Sequence, residues 1–208
     1  MVDIRRSRFW MLLDPSLDVA DYDDLPILPA DIDPQMHLSL NSHPQPFWLA
    51  CEKDVVIATL AGTALVELRD EHIASWPTEA GDYVYVPART PHRIVPDGGA
   101  LQMRYKALVP GLEAAIWYCT NCTAELWRHE FDTAETPSQR GWQHAADAFN
   151  DDAGLRTCAA CGTENPPADL TGTRWAEVAD ALDREDTGAD AQQPAYVGSA
   201  TSESEGDA

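Results

Sequence analysis

Two Cys-x-x-Cys pairs constrain the fold of this chain more than any other sequence feature. The first pair is Cys119 and Cys122, the second is Cys158 and Cys161, and the segment 123–157 lies between them. Two thiolates on a tight turn hold one side of a tetrahedral metal ion, and a second pair completes the tetrahedron. Because four thiolates leave no open coordination position, the spacing predicts a structural zinc ion that fixes the intervening segment to the rest of the fold.

Other uses of these cysteines fit the sequence less well. Disulfides are disfavoured because we expect a cytoplasmic protein, whose thiols stay reduced. A redox-active Cys-x-x-Cys would stand beside a βαβ pattern, which is absent here. The fifth cysteine, Cys51, lies in the apolar stretch "FWLACE" and is predicted to be a buried side chain without chemistry.

The charge balance excludes two classes of partner. The chain has 35 acidic and 14 basic residues, which gives a formal net charge of −21. Such a surface repels the phosphates of nucleic acids and of anionic membranes, so we predict neither as a partner. Part of the acid lies in 176–208, and the rest is spread over the chain. We therefore predict both an acidic tail and a protein of a halophilic host.

The localisation follows from hydropathy. No apolar run approaches the roughly 20 residues that a membrane span needs. The N-terminal piece "FWMLL" is too short for the apolar region of a signal peptide, and no small-residue cleavage site follows it. These observations predict a cytoplasmic protein.

Composition divides the chain into four regions. Residues 1–46 are rich in Asp and Pro, which predicts an extended segment that packs on a barrel. Residues 47–112 contain short alternating strands such as "TALVELRD" and "YVYVP", broken by Gly and Pro, which favour a β-barrel or jelly roll. Residues 113–168 contain the cysteine pairs around the helical stretch "SQRGWQHAADAF". Residues 169–208 predict a short helix and a disordered acidic tail.

A family resemblance emerges from three stretches, "EAGDYVYVPARTPHRIV", "IWYCTNC" and "LRTCAACGT". Together they resemble the cupin 3-hydroxyanthranilate 3,4-dioxygenases, in the bacterial form with a C-terminal rubredoxin-like zinc site. The resemblance implies an all-β fold, a cupin double-stranded β-barrel (jelly roll) with a zinc knuckle and short helices. It also implies a ring-cleaving oxygenase of the route from tryptophan to NAD, with Fe(II) held by two His and one Glu.

The iron ligands that the resemblance implies are only partly present. His92, in "PARTPH", stands at the third ligand position, but the implied His and Glu positions hold Leu49 and Val55. A rearranged site would combine His92 with one or more residues of the preceding segment, namely His37, His43, Glu52 and Asp54. Since Fe(II) sites of this type use three protein ligands, the interpretation that we favour is that no iron binds.

Two functional hypotheses therefore stay open. By resemblance the chain is a divergent dioxygenase that cleaves a small aromatic molecule bound in the barrel. The alternative is a non-catalytic, zinc-stabilised cupin that acts as a binding or scaffold protein. The resemblance implies substrate-clamping arginines at the positions of Gln45 and Pro96, and Arg93 is the nearest candidate to replace them. A homodimer is a further open alternative, because cupins of this family often pair.

Overall fold

The computed structural model describes residues 19–70 and 73–186, and for residues 185 and 186 it describes the backbone alone. The predictions for residues 1–18 and for the acidic tail from residue 187 onward lie outside the described residues. No helix in the described part of the chain is long and apolar enough to cross a membrane.

Eleven strands and three helices make up the described chain. The strands are β1 (Leu25–Pro26), β2 (Gln35–Asn41), β3 (Trp48–Cys51), β4 (Val55–Ala61), β5 (Thr63–Arg69), β6 (Ile73–Glu79), β7 (Tyr83–Val86), β8 (His92–Pro96), β9 (Ala100–Lys106), β10 (Leu112–Tyr118) and β11 (Glu125–Asp132). The helices are α1 (Ser138–Asp151), α2 (Ala153–Arg156) and α3 (Trp175–Asp186).

The strands form two antiparallel sheets that face each other. The five-stranded sheet has the order β1-β2-β9-β4-β7, and the six-stranded sheet has the order β11-β10-β3-β8-β5-β6. The chain crosses repeatedly between the sheets, as the non-sequential strand orders show. The all-β class predicted from the sequence is confirmed.

The side chains of β5 alternate between the interior and the surface, as the sequence predicts. Ala64 and Val66 are buried between the sheets, while Thr63 and Leu65 face outward. The turn that precedes this strand depends on Gly62, whose φ is +76°. A Cβ atom there would lie 2.1 Å from the carbonyl oxygen of Gly99, so the close approach of the two chains requires glycine.

An aromatic cluster fills the end of the barrel that the helices cover. Phe47 lies 5.7 Å from Trp117, 6.0 Å from Trp142 and 5.6 Å from Trp175, measured between ring centroids. Trp142 belongs to α1 and Trp175 to α3, so both helices contribute a fully buried ring to the core of the barrel. Burial of aromatic area on this scale is what holds the helices against the sheets.

Candidate functional site

The two cysteine pairs lie on turns of the same geometry, which we call the cysteine knuckles (residues 119–124 and 158–163). In the first, the amide of Thr123 donates to the carbonyl of Cys119 at 2.9 Å; in the second, the amide of Gly162 donates to the carbonyl of Cys158 at 2.8 Å. Thr123 has a φ of 62° and Gly162 a φ of 71°. Thr123 in the first knuckle thus has the same left-handed backbone conformation as Gly162 in the second.

The knuckles bring the four thiols together. The Sγ atoms of all four cysteines lie within 4.8 Å of one another. The Sγ atoms of Cys119 and Cys161 are 3.7 Å apart, and those of Cys122 and Cys158 are 3.5 Å apart. These distances are far beyond the about 2.05 Å of a disulfide. They are close to the about 3.8 Å that separates the sulfurs of a tetrahedral zinc site with Zn–S bonds of about 2.3 Å.

Asn165 joins the two knuckles and was missed by the sequence analysis. Its side-chain oxygen accepts hydrogen bonds from the backbone amide and the hydroxyl of Thr120, each at 2.9 Å. Its amide nitrogen lies 3.7 Å from the Sγ of Cys119 and 3.2 Å from the carbonyl of Thr163. The hydroxyl and amide of Thr163 lower the pKa of Cys161 to about 5. The cluster therefore includes donors that stabilise thiolates.

His92, the implied third iron ligand, lies at the centre of the six-stranded sheet and is completely buried. On β3 its partner in register is Leu49, and on β5 its partner is Leu68. Its Nδ1 atom lies 3.1 Å from the carbonyl of Thr90, and its Nε2 atom has no hydrogen-bond partner. Val55, at the implied Glu position, is buried in the apolar core.

The acidic candidates for a rearranged iron site have partners of their own. The carboxylate of Glu52 accepts a hydrogen bond from the amide of Leu112 at 3.0 Å, and that of Asp54 accepts one from the amide of Ala88 at 2.8 Å. Within residues 19–70 and 73–186, the four cysteines are the only group of three or more His, Cys, Asp and Glu donors close enough to share a metal ion.

The two histidine candidates, His37 and His43, have different hydrogen-bond partners. His43 is half-exposed, and its Nδ1 lies 2.5 Å from the carboxylate of Asp21. The Nδ1 of His37 lies 3.0 Å from the carbonyl of Asp24. Burial, followed by the nearby Lys106, lowers the pKa of His37 to about 4. Both histidines therefore have hydrogen-bond roles in the N-terminal part of the chain.

Arg93, the substrate-binding candidate, is on β8 next to His92 and points to the other side of the sheet. Its Nε donates to the carboxylate of Glu67 at 2.5 Å. Its guanidinium lies 4.8 Å from the ring centre of Trp48, as in a cation–π contact. Arg93 is about one-third exposed and lines a surface cleft together with Trp48.

Two ion pairs are buried in the barrel, and no sequence motif indicated them. The guanidinium of Arg104, on β9, donates to the carboxylate of Asp24 at 2.6 Å, and both side chains are almost fully buried. Lys106, also on β9, forms an ion pair with Glu113 on β10. Burial is the largest single effect on Asp24 and opposes its charged form, but Arg104, His37 and Lys106 together outweigh it and lower the pKa of the carboxyl. The barrel thus encloses two permanent cations.

The neutral state of His92 follows from these surroundings. Burial is the largest cause that lowers its pKa, and the positive charges of Arg104 and Lys106 add to it, while Asp24 and the carbonyl of Thr90 act in the opposite direction. The net result is a pKa of about 3. The imidazole is therefore uncharged at neutral pH.

We expect the pKa of His92 to make stability depend on pH. In the unfolded chain its pKa is about 6.5, so below this value the unfolded chain binds a proton that the folded chain does not. The stabilisation is complete above pH 6.5 and is lost as the pH falls toward 3. When the pH falls from 7 to 5, His92 is expected to lower the free energy of unfolding by about 2 kcal/mol.

Urea unfolding at pH 7 and at pH 5 measures this effect. Over this interval, the free energy of unfolding of the His92→Gln variant should fall by about 2 kcal/mol less than that of the parent chain. His37 and the other histidines contribute equally to the pH dependence of both proteins. Equal losses in the two proteins would contradict the assignment of the effect to His92.

Comparison with known proteins places the chain among oxygenase relatives. It is 30% identical over 91 residues to 3-hydroxyanthranilate 3,4-dioxygenase of Aspergillus terreus, covering 42% of this chain and 46% of that protein. It is 30% identical over 113 residues to the enzyme of the same name from Brucella anthropi, covering 51% of this chain and 61% of that protein. The chain spans about half the length of the curated relatives that it matches. No family model matches.

Solved structures with a similar arrangement have low sequence identity. Hydroquinone 1,2-dioxygenase from Sphingomonas sp. TTNP3 aligns with a TM-score of 0.41 at 10% identity, over 46% of this chain and 71% of that chain. A cupin-2 domain protein from Shewanella frigidimarina aligns with a TM-score of 0.35 at 18% identity, over 39% of this chain and 76% of that chain.

Two facing antiparallel sheets with a cysteine cluster beside them define a divergent cupin-like protein. Within that class, its sequence relatives are the 3-hydroxyanthranilate 3,4-dioxygenases. The resemblance predicted from "PARTPH" and the two cysteine pairs is confirmed at this level.

Proposed function

We propose that this chain is a cupin binding protein with a structural zinc ion and without the iron chemistry of the dioxygenases that it resembles. The observation that carries this proposal is the register of β3 and β8, which sets Leu49 opposite His92. In that position the family resemblance implies a histidine. A leucine side chain has no atom that binds a metal.

The residues around His92 do not fit an iron triad. Non-haem Fe(II) sites of oxygenases use two histidines and one carboxylate on one side of the metal. Here the side chains at the other two implied positions, Leu49 and Val55, are apolar and buried. One imidazole alone would lose most of the affinity for Fe(II), because each missing ligand removes a coordinate bond.

The charges in the barrel oppose iron as well. Burial is the largest cause of the lowered pKa of His92, and the positive charges of Arg104 and Lys106 add to it. The same positive charges would repel a divalent cation held at Nε2, with little screening in the buried interior. The two cations have their own carboxylate partners, Asp24 and Glu113, so neither acid is free to become an iron ligand.

The four-cysteine cluster, by contrast, fits zinc. Its sulfur spacing matches a tetrahedral thiolate site, and Cys119 and Cys158 are buried while Cys122 and Cys161 lie on the exposed side. A site with four protein sulfurs has no position for a substrate or water. Its role is to hold the knuckles together, and no reaction takes place on it.

The second candidate function is ring cleavage by a rearranged dioxygenase. The observation in its favour is the identity of the sequence relatives, which are 3-hydroxyanthranilate 3,4-dioxygenases. This function needs a second metal ion near His92 with ligands recruited by a rearrangement of the surrounding strands. The two candidates therefore differ in metal content.

Metal analysis of the purified full-length chain distinguishes them. We expect about one zinc ion per chain and no iron, both before and after incubation with Fe(II) followed by desalting. The His92→Ala variant should have the same metal content as the parent chain, and neither should open the ring of 3-hydroxyanthranilate in the presence of Fe(II). A second metal near stoichiometry that is lost in His92→Ala, together with ring opening by the parent chain, would contradict the proposal.

A further inference from the structure

Two neighbouring strands of the five-stranded sheet, β2 and β9, have polar side chains inside the barrel and apolar side chains outside. His37 and Arg104 are partners in register, and both bond to Asp24 in the interior. Because alternate residues of a strand point to opposite sides, the residues next to them point outward. An antiparallel strand with one solvated side normally has the reverse pattern, with its apolar side chains inside. The outer side of this sheet therefore gains free energy if something covers it.

The outward side chains form three rows across β2, β9, β4 and β7, and we call these rows the outer face. The first row is Met36, Tyr105, Val56 and Tyr85; the second is Leu38, Met103, Ala58 and Tyr83; the third is Leu40 and Leu101. None of these side chains carries a charge at neutral pH. Single apolar residues are common on protein surfaces, but contiguous apolar patches mark contact sites.

The described chain covers one side of the outer face and leaves the other side open. Leu38 and Met103 are buried in a cluster with Ile27, and Val19 packs against the same cluster. This cover lies at the β2 side. At the β7 side, Tyr83 is 72% exposed, and its neighbour Tyr85 on the same strand is 54% exposed. An apolar cover thus begins at β2 and does not extend to β7.

The dimensions of the outer face favour a short segment over a second copy of the chain. Four strands are three spacings of about 4.8 Å wide, and seven residues of a strand are about 24 Å long, so the face measures roughly 350 Å² in projection. A stable interface between two proteins buries about 800 Å² on each partner. A five-residue strand, about 17 Å long, fits within this face.

The part of the chain that precedes the described residues contains a segment of this size. Residues 9–13 ("FWMLL") are five consecutive large apolar residues. Val19, where the described chain begins, already packs at the β2 side of the outer face. Arg8 lies eleven residues before Val19, a separation of at most about 37 Å in an extended chain. Since the face is about 14 Å wide, residues 9–13 can cross it from β2 to β7.

Charges support the same occupant. Three arginines lie within residues 5–8, in a chain whose net charge is −21. Two acids border the β7 side of the outer face. Asp82 directly precedes Tyr83, and Asp54 raises the pKa of Tyr85 through a hydrogen bond to its side chain. A segment that crosses the face from β2 brings its arginines to these acids, where opposite charges attract.

We propose that residues 9–13 pack on the outer face of their own chain, with the arginines of residues 5–8 next to Asp54 and Asp82. The N-terminal segment that the sequence predicts to pack on the barrel thereby has a defined place, on the outside of the five-stranded sheet. The contact goes beyond the proposed function and does not depend on it, because it involves neither the cysteine knuckles nor the surroundings of His92.

NMR of the full-length, zinc-loaded chain tests the proposal. Met11 lies in the segment, and Met36 and Met103 lie on the outer face. In a deuterated chain with protonated methionine methyl groups and tyrosine rings, we expect NOEs from the methyl group of Met11 to Met103 and to the rings of Tyr83 or Tyr105. They should persist in a mixture with excess fully deuterated chain, because they arise within one molecule. NOEs lost on mixing, or a Met11 methyl group without NOEs to the outer face, would overturn the proposal.

Two variants show whether the contact stabilises the fold. Met11→Asp places a carboxylate in the apolar segment and should lower the melting temperature by about 5 °C, because the segment no longer packs on the outer face. Tyr83→Asp should lower it by a similar amount, although Tyr83 is largely exposed in the described chain. The double variant should be hardly less stable than either single variant, since both substitutions release the same segment.

Val109→Asp is the matched control, because Val109 is 64% exposed, lies outside the outer face and gains the same charge. It should lower the melting temperature by no more than about 1 °C. Its effect should add to that of Met11→Asp. Full additivity between Met11→Asp and Tyr83→Asp would contradict the contact. Metal content and ring opening are measured separately, so failure of the proposed function would leave these results unchanged.

Discussion

Removal of the metal from the four-cysteine cluster is expected to lower the melting temperature of the chain by about 10–20 °C. The free energy of metal binding is free energy of folding for a site whose ligands come from two separate turns. A loss of roughly 5 kcal/mol corresponds to a shift of this size in a chain of about 200 residues. Calorimetry before and after treatment with a strong chelator measures the effect.

The loss should be concentrated in the cysteine knuckles and the residues that they position. Asn165 bonds to both knuckles, so amide exchange should increase near it, while the strands of the barrel keep their protection. The Cys158→Ser variant should reproduce the effect of the chelator. Cys51→Ala is the matched control, because Cys51 is a buried cysteine outside the cluster, and its effect should not change when the chelator is added. A parent chain with an unchanged melting temperature after metal removal would exclude a structural metal.

Local sequence patterns were sufficient to predict the all-β class and the cysteine cluster. The alternation that buries Ala64 and Val66 is a property of one strand, and a Cys-x-x-Cys turn is complete within six residues. Two such turns with four thiols strongly restrict how the chain between them can fold. The cluster could therefore be predicted although its halves are distant in sequence.

The contacts that define the barrel interior could not be predicted in this way. Asp24 and Arg104 are 80 residues apart, and nothing in the residues around either one indicates the other. The same holds for the aromatic cluster, where the ring centroids of Phe47 and Trp175 are 5.6 Å apart. Sequence gives the chemical types of such residues, but their proximity depends on the register of strands across both sheets.

The backbone conformation of Thr123 could not be predicted from its residue type either. The first knuckle has Thr123 at the position where the second has Gly162. Their hydrogen bonds and left-handed φ values are nevertheless the same. A left-handed threonine is sterically costly, and the tertiary structure around the four sulfurs supplies the compensation. Intrinsic conformational preference was overridden by the geometry of the cluster.

Neutralising Asp24 is expected to destabilise the fold by about 3–5 kcal/mol, because it leaves the guanidinium of Arg104 buried without its carboxylate. Asp24→Asn is the best substitution for this purpose. Asp24 has a φ of 46°, which asparagine tolerates better than most residues, so the variant changes the charge with little added backbone strain. Urea unfolding at pH 7 gives the difference in free energy.

The double variant Asp24→Asn, Arg104→Met should recover most of this loss, because it removes the uncompensated charge as well. The ion pair of Arg128 with Glu125 is the matched control. Its atoms are 2.9 Å apart, but both side chains are more than one-third exposed, so Glu125→Gln should cost less than about 1 kcal/mol. If Asp24→Asn had an effect as small as Glu125→Gln, the buried pair would not be a major stabilising contact. Buried charge in the barrel would then not account for the exclusion of iron.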